Sequence, residues 1–347
     1  MPPTPAVPNG RRPTLADVAA RAGVSTALVS TVMRGAKGAS PATRDRILEA
    51  AQEIGYRPDS RARLLRSNRT HLLGVQFDIR EAFHADLVEH LYAAAGSVGY
   101  ELALSAIASR RSERQAVESL LGDRCEALIL LGPQAPAARL AEIAAFLPLA
   151  SVARRLQPSI PGVQVVRTAD DEGARQAVDH LVALGHREIA HIDGGRAPGA
   201  ADRRRGYRAA MKRHGLAENI SILPGGLTAQ DGAAAAEALL AADQRPSAVL
   251  AFNDDCATGA LSTFFRAGVS VPGDISVVGF DDSRVARLPH FNLTTVAQDI
   301  PRLAELAVTH LTAILSAGEP RTGEDVVAPR LVIRGTTSVL DNGKHAP

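Results

Sequence analysis

Several apolar runs in the C-terminal three quarters of this chain end in polar side chains of complementary kinds. Asn253 and Asp254 follow the run 248–252, Asp281 and Asp282 follow the run that begins at Ile275, and Gln298 follows the TTVA of 294–297. Arg203 sits in DRRRGY (202–207), at the start of an expected helix. Carboxylate, guanidinium and amide groups brought to one place suit a polyhydroxyl ligand, because each hydroxyl both donates and accepts. Taken singly, Asn253 and Asp281 also have a plainer reading, as residues favoured at helix caps and turns.

Catalytic chemistry finds less support. GxSxG, GxxxxGK, HExxH and GxGxxG are all missing. His186 and His191 are five apart at a strand start, not on one helical face. The pairs Asp254–Asp255 and Asp281–Asp282 could hold a metal, yet paired acids after strands are common caps. Cys125 and Cys256 lack CxxC spacing, which argues against a disulfide framework and a zinc site. No catalytic residue, metal or cofactor is assigned. The alternative kept open is an enzyme acting on a small metabolite with a DNA-binding head fused to it, which turnover of a bound metabolite would reveal.

The elements that must position the polar set are short apolar runs alternating with helical stretches. Residues 72–75, 101–104, 127–131, 149–152, 188–192, 248–252 and 275–279 read as buried strands, with helices over 85–98 and 171–184 among those between them. Such alternation implies βαβ units and parallel sheets. So many strands suit two α/β lobes better than one sheet, and ligands of such lobes bind near the carboxyl ends of strands.

The N-terminal part is different. Residues 11–70 carry 12 Lys+Arg against 5 Asp+Glu, a net of +7, while the rest carries 27 against 32. A basic head on an acidic body suits binding to a phosphate backbone. Thr14 and Asp17 form a capping box for a first helix, which ends at Gly23. Ser25 caps a second helix, and Ser40–Pro41 start a third that ends at Gly55. Three short helices with a glycine turn between the first two predict a helix-turn-helix, whose second helix offers Thr26, Ala27, Thr31 and Arg34 to base edges. Met1–Gly10, Pro-rich and without an apolar stretch, reads as a disordered leader rather than a secretory signal. No apolar run reaches the ~18 residues of a membrane span, so the cytoplasm is the expected compartment.

At this point the sequence resembles the lactose/galactose repressor (LacI/GalR) family. The residues that carry the likeness are TLADVAARAGVS (14–25), LVS (28–30), SPATRDRI (40–47) and GYRP (55–58). Farther on, DRRRG (202–206), FND (252–254), VVGFDD (277–282), LTTVAQ (293–298), VALGHR (182–187) and LVIR (331–334) match the same family. The resemblance implies an all-α helix-turn-helix head plus an α/β two-lobed sensor like the periplasmic sugar-binding proteins, with three crossings between lobes. It divides the chain into a leader (1–12), a head (13–57), a hinge (58–70), a sensor (71–340) and a tail (341–347). Lobe one takes about 71–168 and 298–325, and lobe two about 169–297 and 326–340.

The residues it implies for DNA are Thr14, Ser25, Thr26, Ala27, Ser30, Thr31, Arg34 and Arg57, with Arg61, Ala62 and Leu65 in a hinge helix whose leucine wedges into the minor groove. Those implied for the effector are Phe83, His84, Arg203, Asn253, Asp281 and Gln298. The partners implied are double-stranded, pseudo-palindromic operator DNA, a carbohydrate-like small molecule and a second copy of the chain, with no membrane. This chain departs from the family where Thr31 replaces the usual Arg and Arg34 the usual Asn. It departs again where Ala153 stands for an Asp of many sugar binders and Leu227 for an aromatic wall.

Overall fold

The computed structural model describes residues 13–33, 35–56, 69–318 and 322–340. They fall into two units that divide after Thr70. The predicted residues Arg34, Arg57, Arg61, Ala62 and Leu65 lie outside the described residues.

The first unit is three helices, α1 (Leu15–Ala22), α2 (Thr26–Met33) and α3 (Pro41–Glu53). Thr14 caps α1 in both directions: its Oγ1 accepts from Asp17 N, and the Asp17 carboxylate accepts from Thr14 N at 2.7 Å. Asp17 thereby does what Glu does in the usual box. Gly23, at φ 66°, ends the helix in the left-handed region that a side chain would disfavour, and α2 leaves at 106° to α1. Ser40 caps α3, with Pro41 in its first turn. Val18, Val29, Val32 and Ile47 meet in the core of this unit.

The second unit holds two six-stranded sheets. Lobe one has the order β11-β5-β4-β3-β1-β2 and lobe two β12-β10-β9-β8-β6-β7. The lobe one strands are β1 (Leu72–Asp78), β2 (Glu101–Ile107), β3 (Ala127–Leu131), β4 (Leu149–Val152), β5 (Val163–Thr168) and β11 (Gly323–Val327). Those of lobe two are β6 (Ile189–Ile192), β7 (Ser221–Leu223), β8 (Ala248–Ala251), β9 (Ser276–Asp281), β10 (Thr294–Ala297) and β12 (Arg330–Val332). All pairs are parallel except β10–β12. The central strands are buried along their whole length, as strands covered by helices on both faces must be.

In lobe one, α4 (Ala82–Ser97) and α11 (Ile300–Ala317) cover one face, while α5 (Glu113–Gly122) and α6 (Ala137–Ala144) cover the other. In lobe two the pairs are α7 (Asp170–Ala183) with α8 (Ala200–Arg213), and α9 (Ala229–Ala241) with α10 (Asp254–Arg266). The chain passes between lobes three times, after β5, after β10 and after β11.

Three elements differ from the sequence expectation in ways that matter for the site. The strand expected over 72–75 continues to Asp78, and the helix expected from 85 starts at Ala82, so Phe83 and His84 lie in its first turn. Residues 163–168 (VQVVRT) form a strand that alternation alone did not single out. No single helix among the described residues is long and apolar enough to cross a membrane.

Candidate functional site

The carboxyl ends of β1, β5, β8, β9 and β10 converge on one cleft between the lobes. Arg203, in the first turn of α8, is at its centre and only 6% exposed. Its Nε donates to Asp170 Oδ1 at 2.8 Å, its Nη1 to the Phe252 carbonyl at 2.6 Å, and its Nη2 lies 3.4 Å from Asp281 Oδ1. The guanidinium also stacks 3.6 Å from the Phe280 ring centre and 4.6 Å from that of Phe252. Two carboxylates and two aromatic faces thus fix one buried cation.

Asp281 closes β9 with φ at 111° and Asp282 follows at 53°, so the strand end turns through backbone that non-glycine residues rarely adopt. Asp282 holds that turn by pairing with Arg334 at 2.5 Å and Arg287 at 3.0 Å. Gln298, on the crossing after β10, reaches the crossing after β5, where its Oε1 accepts from Thr168 Oγ1 at 2.5 Å, and its Nε2 donates to Asp281 Oδ1 at the end of β9 at 2.7 Å. Asn253 lines the cleft but spends its amide on the fold. Its Oδ1 accepts from Cys256 N at the start of α10, and its Nδ2 donates to the Leu227 carbonyl.

From lobe one, His84 accepts from Asp78 N through Nδ1 at 3.1 Å, which leaves Nε2 as the protonated nitrogen. Burial pulls its pKa down to about 4, so the ring is neutral. Phe83 belongs to the lobe one core and also lines the cleft. The six expected effector residues therefore all border one cavity.

The cavity adds carboxylates beyond the six expected residues. Glu81, Asp170, Asp255 and the strand-end Asp254 line it with Asp281, around Arg203. Burial raises Glu81 to about 7, with nearby Asp78 adding to the effect. Burial likewise raises Asp254, to about 8, with the Asp281 charge adding to it, and burial raises Asp281 to about 7 against the pull of Arg203. Asp254 accepts from Thr295 Oγ1 at 2.6 Å, Ser283 N at 2.7 Å and Ser283 Oγ at 2.9 Å. Groups of this kind accept from hydroxyls when ionised and donate when protonated, which fits a ligand with many hydroxyls. Among the described residues no three His, Cys, Asp or Glu side chains are placed to hold a metal ion.

The cleft is closed. Its free space is about 30 Å³, roughly two waters' worth. Pro198 of lobe two rests on Gly132 of lobe one, where a Cβ would come 2.7 Å from Pro198 Cγ. On another side Arg284 of lobe two pairs with Asp86 at 2.9 Å and with Glu89, both on α4. A sugar-sized ligand enters only when the lobes part.

In the helical unit, Thr14, Ser25, Thr26 and Ala27 are exposed at the first turns of α1 and α2, and Ser30 and Thr31 are half-buried. Thr31 Oγ1 donates to the Ala27 carbonyl at 2.9 Å.

Comparison with known proteins gives two matching family models. Residues 14–59 match "Bacterial regulatory proteins, lacI family", and residues 178–337 match "Periplasmic binding protein-like domain". The chain is 32% identical over 339 residues to the HTH-type transcriptional regulator GalR of Escherichia coli K12, covering 96% of this chain and 98% of that one. Among solved structures it is similar to a LacI transcriptional regulator from a Rhodococcus species, at 49% identity and TM-score 0.74 over 77% of this chain and 98% of that one. It is similar to the lac repressor dimer bound to operator and the anti-inducer ONPF, at 29% identity and TM-score 0.80 over 94% of this chain and all of that one. A complex of the regulator CelR with cellobiose matches at 28% identity and TM-score 0.69, over 94% of this chain and all of that one.

Proposed function

The chain belongs to the lacI family of bacterial regulatory proteins and is a DNA-binding transcription regulator, and from that premise we propose how it is controlled. A homodimer represses transcription by placing two helical heads on a pseudo-palindromic operator in the cytoplasm. A carbohydrate-type effector, held between the lobes, changes the angle between them and so the affinity for DNA.

The observation that carries the effector reading is the buried Arg203 centre, with Asp170, Asp281 and Gln298 gathered from three strand ends onto one cleft. Gln298, on the crossing after β10, is tied to Thr168 on the crossing after β5, so a ligand that displaces that bond acts directly on the hinge between lobes. Such a coupling is typically worth about 1–3 kcal/mol. Exposure of Thr26 and Ala27 on α2 supports their role at base edges, with Ser25 and Thr14 at phosphates. Symmetry of the dimer is what makes the operator a pseudo-palindrome.

The test starts from operator selection with the purified full-length protein on random duplex DNA. Binding to the selected site is then followed by fluorescence anisotropy while sugars and sugar derivatives are added. The expected result is a two-fold-symmetric site and at least one compound that shifts its affinity about five- to 150-fold. A compound that binds the cleft without moving operator affinity refutes the coupling, and an asymmetric site refutes the dimer.

A further inference from the structure

A second chamber, of about 360 Å³, opens beside the closed cleft and shares Pro198 with it as a wall. Four arginines line it: Arg154 and Arg155 just beyond β4 in lobe one, Arg196 after β6, and Arg205 on α8 in lobe two. Asp202 is the one carboxylate in its lining. We propose that the effector carries an oxyanion, a phosphate or a carboxylate, which occupies this chamber while its hydroxyls enter the acid-rich cleft. This inference rests on the reading of the cleft as the effector site and names the class of molecule it takes.

The pairing of these arginines supports the assignment. Arg205 is committed to Asp202 at 2.5 Å and Asp171 at 3.0 Å. Arg155 reaches Asp202 only at 4.0 Å, and its Nε and Nη2 otherwise face the Gln157 side-chain amide at 3.0 Å. Arg154 donates to the neutral Pro133 carbonyl. Arg196 is exposed and has no ion-pair partner among the described residues. The chamber therefore holds cations in excess of their counter-charges. Guanidinium forks of this kind bind phosphate and carboxylate in bidentate fashion.

Adjacent residues face the two spaces. Ala153 lines the cleft and Arg154 the chamber; Arg203 lines the cleft and Asp202 the chamber. One small molecule can thus present hydroxyls inward and charge outward without a long linker. Because the arginines come from both lobes, an oxyanion among them ties the lobes together. Charge in the chamber and the separation of the lobes around the ligand then become one event. The fitting class is a polyhydroxylated anion, a sugar phosphate or a sugar acid.

The experiment measures ligand-dependent melting of the full-length protein at constant ionic strength. The probes are inorganic phosphate, and the matched sets glucose, glucose 6-phosphate and gluconate, and ribose and ribose 5-phosphate. The test variant is Arg155→Gln/Arg196→Gln, with Arg196→Glu alone as a second variant. Neither arginine is enclosed in the core, so both variants are expected to fold. Phosphate at millimolar concentration should raise the melting temperature saturably over matched chloride. The double variant should raise its midpoint tenfold or more, and Arg196→Glu should move it in the same direction. Within each set an anionic member should bind at least tenfold tighter than the neutral one, and the phosphate and carboxylate arms decide which oxyanion fits. Equal midpoints in wild type and both variants, or equal affinity for charged and neutral partners, overturn the chamber assignment. Neutral sugars that bind and shift operator affinity, with no preference for charge, would leave the cleft reading standing and remove the oxyanion. Arginine-dependent phosphate binding with no probe moving operator affinity would do the reverse.

Discussion

Replacing Asp254 with Asn should stabilise the sensor in alkaline solution and leave it nearly unchanged in acid. Asp254 is 1% exposed, and its carboxyl is gripped by Thr295 and Ser283. Gly279 makes room for it, since a Cβ there would lie 2.2 Å from Asp254 Oδ1. Burial and the neighbouring Asp281 lift its pKa to about 8, far above an ordinary carboxyl. An acid raised in the folded state contributes its full stability below the unfolded pKa and loses it as pH climbs through the folded one. The slope is at most about 1.4 kcal/mol per pH unit for one proton, so between pH 5 and pH 8 the ceiling is about 4 kcal/mol. The pair shares its charge and the site can relax, so about half that is the expected size. Asn has the same shape: its oxygen can accept from Ser283 N, and its amide can donate to Thr295 Oγ1. Urea unfolding followed by far-ultraviolet circular dichroism, at pH 5, 6, 7 and 8, should show the two proteins within about 1 kcal/mol at pH 5. At pH 8 the variant should be ahead by about 2 kcal/mol. Parallel curves, with the variant weaker by the same amount at every pH, would mean that Asp254 is an ionised cap and that the argument from burial is wrong.

The remaining expectations follow from the same cleft. Wild-type stability should fall between pH 6.5 and 8 as Glu81, Asp254 and Asp281 ionise. The fall should already begin between pH 5 and 6.5, because the three folded acids hold protons that their unfolded forms have lost, while His84 and His191, held neutral by burial at about 4, offset only part of this; a profile that is flat or rises from pH 5 to pH 8 refutes this. Arg203→Ala should cost about 3–5 kcal/mol at pH 8 by stranding Asp170 and Asp281, and less at pH 6, where these acids can take up protons; a loss under 1 kcal/mol by denaturant titration would show that the centre holds little together. A missing effector response in that variant therefore does not by itself identify a ligand contact. Gly132→Ala should hold the lobes apart, because the new Cβ meets Pro198 and the backbone there has φ at 55°; small-angle scattering should report a larger radius of gyration, reversed by adding Pro198→Gly.

Much of the fold was legible because its signals are local. The Thr14 and Asp17 pair, Gly23 and the Ser40–Pro41 start each satisfy or end helix backbone with their own side chains or conformation, so position in sequence reveals position in space. The buried strands at 127–131 and 149–152 were likewise legible, being apolar at nearly every position. The strand 163–168 escaped because Gln164, Arg167 and Thr168 interrupt its apolar character. The structure gives each a partner or a buried place: Arg167 pairs with Glu324 at 2.6 Å, and Thr168 binds Gln298. These partners lie 157 and 130 residues away, where no window of sequence can see them.

The same blindness explains the site residues that were missed. With 163–168 unread as a strand, Asp170 had no reason to be placed at a strand end, although it supplies the shorter of the two carboxylate contacts to Arg203. With β1 stopped at Val75 and α4 begun at Ala85, Glu81 fell in an apparent loop with no element end to place it, although Phe83 and His84 beside it were expected at the site. Asn253 carries the opposite lesson. The sequence could not separate a ligand contact from a cap; the structure brings it to the cavity wall and gives both ends of its amide to backbone. Residue type and a strand end thus located the cleft, but the number of carboxylates in it depends on where strands stop. Burial among those carboxylates, rather than any one side chain, is what raises Glu81, Asp254 and Asp281 toward neutral pH. The proposed effector should therefore be coupled to protons: a hydroxyl-rich ligand that donates to these groups favours their ionised forms, and its binding should release protons between pH 6.5 and 8.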